Sequence, residues 1–235
     1  MGFLVNSFIE FPTAVFSPAD ISGLTLWLDS SEGVTKDGSN LVSQWDDQSG
    51  NSNNVVQATT ANKPIWVDST LNGLPVIRFD GTNDDLSKST FTGGAISQAF
   101  YIFVVIKPAA GGSGAQYNWD HANGTRGWCY TLLSGGTDYF NYGCAIDVNI
   151  ETLPTGYVQY TFLVSGASSD IRRDKTSVNS NNLGSSTING FWLGSRHSSV
   201  QYGNPDIAEF LIYDSNIGDT DRDKVETYLA DKYGL

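Results

Sequence analysis

The ten residues PDIAEFLIYD, from Pro205 to Asp214, constrain this chain more than any other stretch. Ile207, Phe210 and Ile212 alternate with Ala208, Leu211 and Tyr213, so neither face of an extended segment is left polar. A strand that is apolar on both sides must be covered on both sides, which places it centrally in a layered β structure. The text after it reads as a short helix: Val225, Tyr228, Leu229 and Tyr233 recur at spacings of three and four, while Asp221, Arg222, Asp223 and Asp231 take the wet side. That apolar stripe is expected to pack against the sheet. Gly218 or Asp219 should cap the helix start, Lys232 suits its negative end, and Gly234 supplies a left-handed stop.

Upstream, the apolar text comes in short runs: ISGLTLWL, LVSQWDDQ carrying Trp45, LPVIRFDG, AFYIFVVIKP and GYVQYTFLVSG. Turn residues separate them throughout, 25 Gly among them, and helical periodicity is clear only at the end. The class is all-β, and 235 residues suit one core. Four stretches, SGLTLWLDSSEGV, VSQWDDQSGNSNN, NGLPVIRFDGTNDDL and the run from Asp206 to Leu235, resemble the LamG-like branch of the concanavalin A-like lectin/glucanase superfamily. The resemblance reaches both ends of the chain and implies a two-sheet antiparallel jelly-roll sandwich over residues 20–235, with Trp45 in its core ahead of a Ser49–Gly50–Asn51 turn. It implies no single function, because this fold serves lectins, hydrolases, adhesion modules and virion proteins alike.

Residues 1–19 lie outside that resemblance. They hold Phe3, Leu4, Val5, Phe8, Ile9, Phe11, Val15 and Phe16 and no Lys or Arg, the first Lys being Lys36. Glu10 and Pro12 break the apolar run, so no secretory signal is expected, and Asn6 stands where a myristoylation motif wants Ser or Thr. An apolar arm remains. It either adds a strand to its own sandwich or docks on a neighbouring subunit, with Phe3, Leu4, Phe8, Ile9 and Phe11 as assembly-contact candidates in a homo-oligomer or larger assembly.

The formal charge of −12 repels phosphate backbones and anionic lipid surfaces, so neither nucleic acid nor a membrane is an expected partner. No run of about 18 apolar residues is present to span a bilayer. Cys129 and Cys144 flank LLSGGTDYF, and a turn centred on Gly136 and Thr137 would set them opposite each other across a hairpin. That pairing is of the wider, hydrogen-bonded kind, and two cysteines make no disulfide framework, so two buried thiols are expected.

The segment from Gln116 to Tyr142 concentrates Tyr117, Trp119, His121, Arg126, Trp128, Tyr130, Tyr139, Phe140 and Tyr142 among Asn and Gly. Aromatic faces beside amides and carboxylates suit a sugar, whose C–H face is apolar and whose rim is all hydroxyl. Tyr117, Trp119, Trp128, Tyr139 and Tyr142 are the carbohydrate-binding candidates. Trp119, read as a loop residue, is the ring expected to be exposed, whereas Trp128 and Tyr130 also fit alternation into the core. Asp46, Asp47 and Asn51, with Asn53 and Asn54, crowd hard oxygen ligands of the kind calcium takes, as do Asp80, Asn83, Asp84 and Asp85. Neither matches a defined calcium loop; an Asx-rich turn is the default reading of both, with calcium as the alternative, and no other cofactor is expected. Arg172, Arg173 and Lys175 beside Asp170 and Asp174 read as a solvated face.

Retaining hydrolases of this fold carry paired carboxylates on one strand face. Here only Glu209 lies within a clear strand, and two positions upstream stands Ile207. His121 and His197 fall in loops without a partnering nucleophile or metal-ligand spacing. The chain is accordingly expected not to be an enzyme. The expected function is a bacteriophage virion component, a capsid decoration or tail protein, displaying a lectin-like sandwich on the virion surface. The alternatives are a carbohydrate-binding module at a bacterial cell surface and, last, a polysaccharide hydrolase or lyase.

Overall fold

The computed structural model of the chain describes residues 16–112, 114–121, 127–134, 136–197 and 201–235. The assembly-contact candidates Phe3, Leu4, Phe8, Ile9 and Phe11, and also Arg126, lie outside the described residues. Among the described residues the strands are β1 (Leu24–Asp29), β2 (Val34–Lys36), β3 (Val42–Trp45), β4 (Val55–Val56), β5 (Ile65–Leu71), β6 (Leu74–Arg78), β7 (Leu86–Lys88), β8 (Phe100–Lys107), β9 (Gln116–His121), β10 (Trp128–Ser134), β11 (Thr137–Gly143), β12 (Asp147–Thr152), β13 (Val158–Val164), β14 (Asp170–Arg173), β15 (Thr176–Asn179), β16 (Phe191–Leu193) and β17 (Asp206–Tyr213). The helix α1 spans Gly218–Tyr233.

The strands form two antiparallel sheets stacked as a sandwich, the expected all-β jelly roll. One runs β15-β14-β13-β8-β17-β6-β5, with β1 also paired to β17; the other runs β12-β11-β10-β9-β16-β7-β4-β3-β2. All eight residues of β17 are buried, as its two apolar faces require. Ile207, Phe210 and Ile212 point between the sheets, where they meet Trp45, Trp119, Phe140, Tyr142, Phe162 and Phe191. Ala208, Leu211 and Tyr213 point the other way and are covered by Val225, Leu229 and Tyr233 of α1. The outer face of the first sheet is thus sealed by the helix.

The helix ends as expected, with Gly234 left-handed at φ 70°. Its start differs: it follows Ile217, which makes no side-chain capping bond, and Gly218 is the first helical residue at φ 76°. Lys232 does more than face the helix dipole. Its ammonium bonds the carboxylates of Asp29 and Glu209, tying α1 to β1 and β17. Arg172 and Arg173 do not form a solvated face, because Arg172 reaches Glu226 on α1 and Arg173 reaches Glu151 on β12.

Two further expectations are corrected. The β10–β11 hairpin pairs Ser134 with Thr137, so Cys129 faces Tyr142 and not Cys144. Both thiols are free and buried. The turn sits one position earlier than a Gly136–Thr137 centre, and that slip moves the cross-strand partner by two residues. Trp119 and Tyr142, expected among the sugar-binding rings, are fully buried in the core. Among the described residues no helix is long and apolar enough to cross a membrane.

Candidate functional site

Among the described residues no strand or helix covers the outer face of the second sheet. Cross-strand pairing sets out which side chains it displays. One row runs Val56, Ser87, Trp192 and Asp120 across β4, β7, β16 and β9. Trp128, Gly143 and Asp147 form a matching row across β10, β11 and β12. A second row joins Tyr117, Tyr130 and Asn141 to Asn149, and a third joins Leu132, Tyr139 and Thr152. Trp128, Tyr130 and Tyr139 are half-buried, with part of each ring at the surface.

Tyr117 reaches this face through a local irregularity. Trp119 pairs with Cys129 and points inward, and Tyr117 pairs with Tyr130, so Asn118 is an extra residue in β9. A bulge of this kind re-aims the neighbouring side chain. Without it Tyr117 would alternate into the core beside Trp119. The buried Asn118 amide secures the bulge by accepting from Ala109 N at 2.7 Å, and its backbone carbonyl accepts from Gly194 N at 2.9 Å.

The aromatic rings hold one another in place. Tyr117 stacks on Tyr130 with centroids 5.6 Å apart and meets Trp128 edge-on at 6.4 Å. The Trp128 indole donates from Nε1 to Asp147 at 2.6 Å, which fixes its rotation. Above them, the segment after β16 turns back over the sheet: Ser195 bridges to Tyr202, and Gly203 N donates to the Gly194 carbonyl. Gly203 lies so close to β9 that a Cβ there would stand 2.2 Å from the Tyr117 carbonyl oxygen, so no larger residue fits. The turn carries Arg196, whose guanidinium lies 5.1 Å above the Trp128 ring and 5.9 Å from that of Tyr117.

Asp120 anchors the same turn from beneath. It is 3% exposed, and its carboxylate accepts from the backbone N–H groups of His121 and His197 at 2.7 and 2.8 Å. Burial raises its pKa, while those two donors oppose the rise. His197 in turn packs edge-on against Trp192 at 4.7 Å. His121, expected in a loop, instead ends β9 inside the core, 4.9 Å from Phe191, and burial lowers its pKa to about 3.

Of the sequence candidates, the structure therefore brings Tyr117 and Trp128 together, sets Tyr139 on the same face and removes Trp119 and Tyr142 to the interior. Asp120, Asp147, Trp192 and Arg196 had not been singled out. Trp192 was legible in principle, since it interrupts the buried Phe191 and Leu193 in period two. Arg196 follows strand text without any motif, and only the return of the chain over β9 brings it to the rings.

The other candidates are absorbed by turns. The Asp47 carboxylate accepts from Trp27 N, Ser49 N, Ser49 Oγ and Asn53 N. Asp46 accepts from the side chains of Gln44 and Asn54, and Asn51 donates to the Leu24 carbonyl. Both Asp47 oxygens are spent on the protein's own donors, as is Oδ1 of Asp46. Among the described residues no group of three or more His, Cys, Asp or Glu is arranged to hold a metal ion. Glu209 is fully buried on the helix side of β17, bonded by Trp27, Lys232 and Tyr233, and Lys232 itself lines a cavity beside α1 with Phe16 and Tyr228.

No family model matches the sequence, and no curated protein matches it. Solved structures do match in fold. An arabinofuranosidase complexed with arabinofuranosyl-alpha-1,2-xylobiose superposes with a TM-score of 0.60 at 15% identity, over 80% of this chain and 50% of that one. A Trypanosoma rangeli sialidase in complex with sialic acid gives 0.56 at 12% identity, over 87% of this chain and 32% of that one. The ligand binding domain of botulinum neurotoxin serotype D, in complex with N-acetylneuraminic acid, gives 0.61 at 10% identity, over 89% and 52%. The chain thus spans about half the length of these structures, or less. The likeness supports a β-sandwich shared by glycosidases and a toxin binding domain; it does not single out the LamG-like branch. It also corrects the expectation that the chain is not an enzyme, because an arabinofuranosidase and a sialidase are among the proteins sharing this fold. A missing carboxylate pattern on one strand is no ground for excluding catalysis in such company.

Proposed function

We propose that the chain is a carbohydrate-binding sandwich domain whose binding surface is the outer face of the nine-stranded sheet, centred on the half-buried Trp128 and Tyr130, with the buried Tyr117, 6% exposed, bracing both rings. One observation carries this: helix α1 seals one sheet, while the other turns outward a braced aromatic cluster, flanked by Asp147, the exposed Asn149 and Arg196. Rings of this kind accept the apolar C–H face of a pyranose, and amide, carboxylate and guanidinium groups beside them suit its hydroxyls. Proteins that contain a sandwich of this fold were solved with N-acetylneuraminic acid, sialic acid and an arabinofuranosyl-xylobiose bound, which supports a glycan as the ligand class. The expected virion placement draws no support from the fold. A glycan array probed with the wild type and with Trp128→Ala and Tyr130→Ala tests the proposal. Binding to a defined set of glycans, lost in both variants while their melting temperatures hold, is the expected result. Binding that survives both substitutions contradicts it.

A further inference from the structure

The chain carries 25 acidic residues against 13 basic ones, so its cations are in demand, and the described arginines are nearly all paired. Arg78 bonds Asp206, Arg172 bonds Glu226, Arg173 bonds Glu151, and Arg222 bonds Asp219 and Asp223. Arg196 is the exception: among the described residues it forms no ion pair. Its side chain spends one donor on Gln201 Oε1 at 3.0 Å, and the guanidinium otherwise rests on the Trp128 and Tyr117 rings. A guanidinium presents five N–H donors in a planar fork.

Of the two carboxylates at this face, Asp120 is near enough for the guanidinium charge to act on it. Asp120 turns both oxygens to backbone N–H groups, and Asp147 bonds the Trp128 indole. Sheet order sets them apart further, since Asp147 is on the edge strand β12 and the Arg196 turn rises from β16, on the other side of β10. Arg196 therefore stands over the aromatic platform with the buried Asp120 near enough to feel its charge but not paired with it. The bulge at Asn118, the close approach of Gly203 and the Asp120 anchor all hold the guanidinium over that platform.

We propose, resting on the glycan-binding reading above, that this face selects a pyranose bearing an anionic substituent. The ring lies on Trp128 and Tyr130, and the carboxylate or sulfate takes the open side of the Arg196 fork. A planar guanidinium matches either anion through paired N–H donors, which a lysine ammonium does not. The bulk charge of −12 does not forbid this, because screening at physiological ionic strength limits the reach of distant charges to roughly 8 Å.

The test is an array of matched glycans, each neutral oligosaccharide printed beside its carboxylated and its sulfated form, probed with wild type, Arg196→Gln, Arg196→Lys and Trp128→Ala. The wild type is expected to bind at least one anionic form tenfold or more above its neutral counterpart, with the preference falling as salt rises. Arg196→Gln should erase that preference, Arg196→Lys should retain only a fraction of it, and Trp128→Ala should lose the neutral and the anionic signals alike. The carboxylated and sulfated arms tell which anion is taken. Equal binding of neutral and anionic forms, or a preference that persists in Arg196→Gln, overturns the proposal and leaves the glycan-binding face standing. Absence of binding to every glycan overturns both.

Discussion

The Trp27 indole N–H donates to Glu209 at 2.7 Å across 182 residues of sequence, bringing the first strand to the last. Glu209 is fully buried, and Lys232 and Tyr233 complete its bonding from the helix. A bulge puts it there, because Ile207 pairs with Ile106 and Glu209 with Val105, leaving Ala208 as the extra residue. This one carboxylate joins β1, β17 and α1.

Removing its cation should be costly. Lys232→Met leaves Asp29 and Glu209 buried without their shared charge, and breaking a buried pair in this way costs about 3–5 kcal/mol. Urea unfolding is expected to show that loss, with a smaller loss in the double variant Lys232→Met/Glu209→Gln, because one of the two stranded charges is then also gone.

The core and the proposed site should separate cleanly. Trp119 packs among Phe162, Phe191, Phe210 and Tyr142, so Trp119→Ala opens a core cavity worth about 3–5 kcal/mol. Trp128→Ala, at a half-buried surface ring, forfeits contacts that include the Arg196 guanidinium, the Asp147 hydrogen bond and the Tyr117 edge, and is expected to cost less than Trp119→Ala because it opens no core cavity. Denaturant midpoints of the two variants check the difference.

Asp84 gives stability an alkaline limb. Burial, reinforced by the Asp80 charge, raises its pKa to about 7, whereas an unfolded Asp ionises near ~4. Its contribution is full below that unfolded value and is lost as pH rises through about 7. Asp84→Asn should therefore melt higher relative to the wild type at pH 8 than at pH 5.

His121 gives an acid limb. Burial holds it neutral in the fold down to about pH 3, while an unfolded His takes a proton near ~6.5. Stability is full above that value and is lost as pH falls below it. Unfolding free energies of wild type and His121→Phe, followed from pH 7 to pH 4, should show a steeper decline in the wild type.

Much of the scaffold was legible. The doubly apolar β17 and the Gly234 stop follow from period and conformational freedom, which act locally, and the buried Trp45 is what the family resemblance implies. The site was legible only in part, because three non-local features decide it. The Asn118 bulge inverts the alternation that would have hidden Tyr117, and β9 itself was read as loop, which left Trp119 mistaken for a surface ring. The β10–β11 turn shifts the pairing of Cys129. Arg196 acquires meaning only when the chain folds back across β9, a contact that no spacing announces.

The central claim is that the sheet face opposite the helix is where ligand binds. Amide hydrogen exchange, with and without a saturating amount of the strongest glycan from the array, tests it most directly. Slowed exchange confined to residues 116–143 and 191–203 is the predicted result. Protection centred on residues 16–30 and 218–233, around the helix, would contradict it.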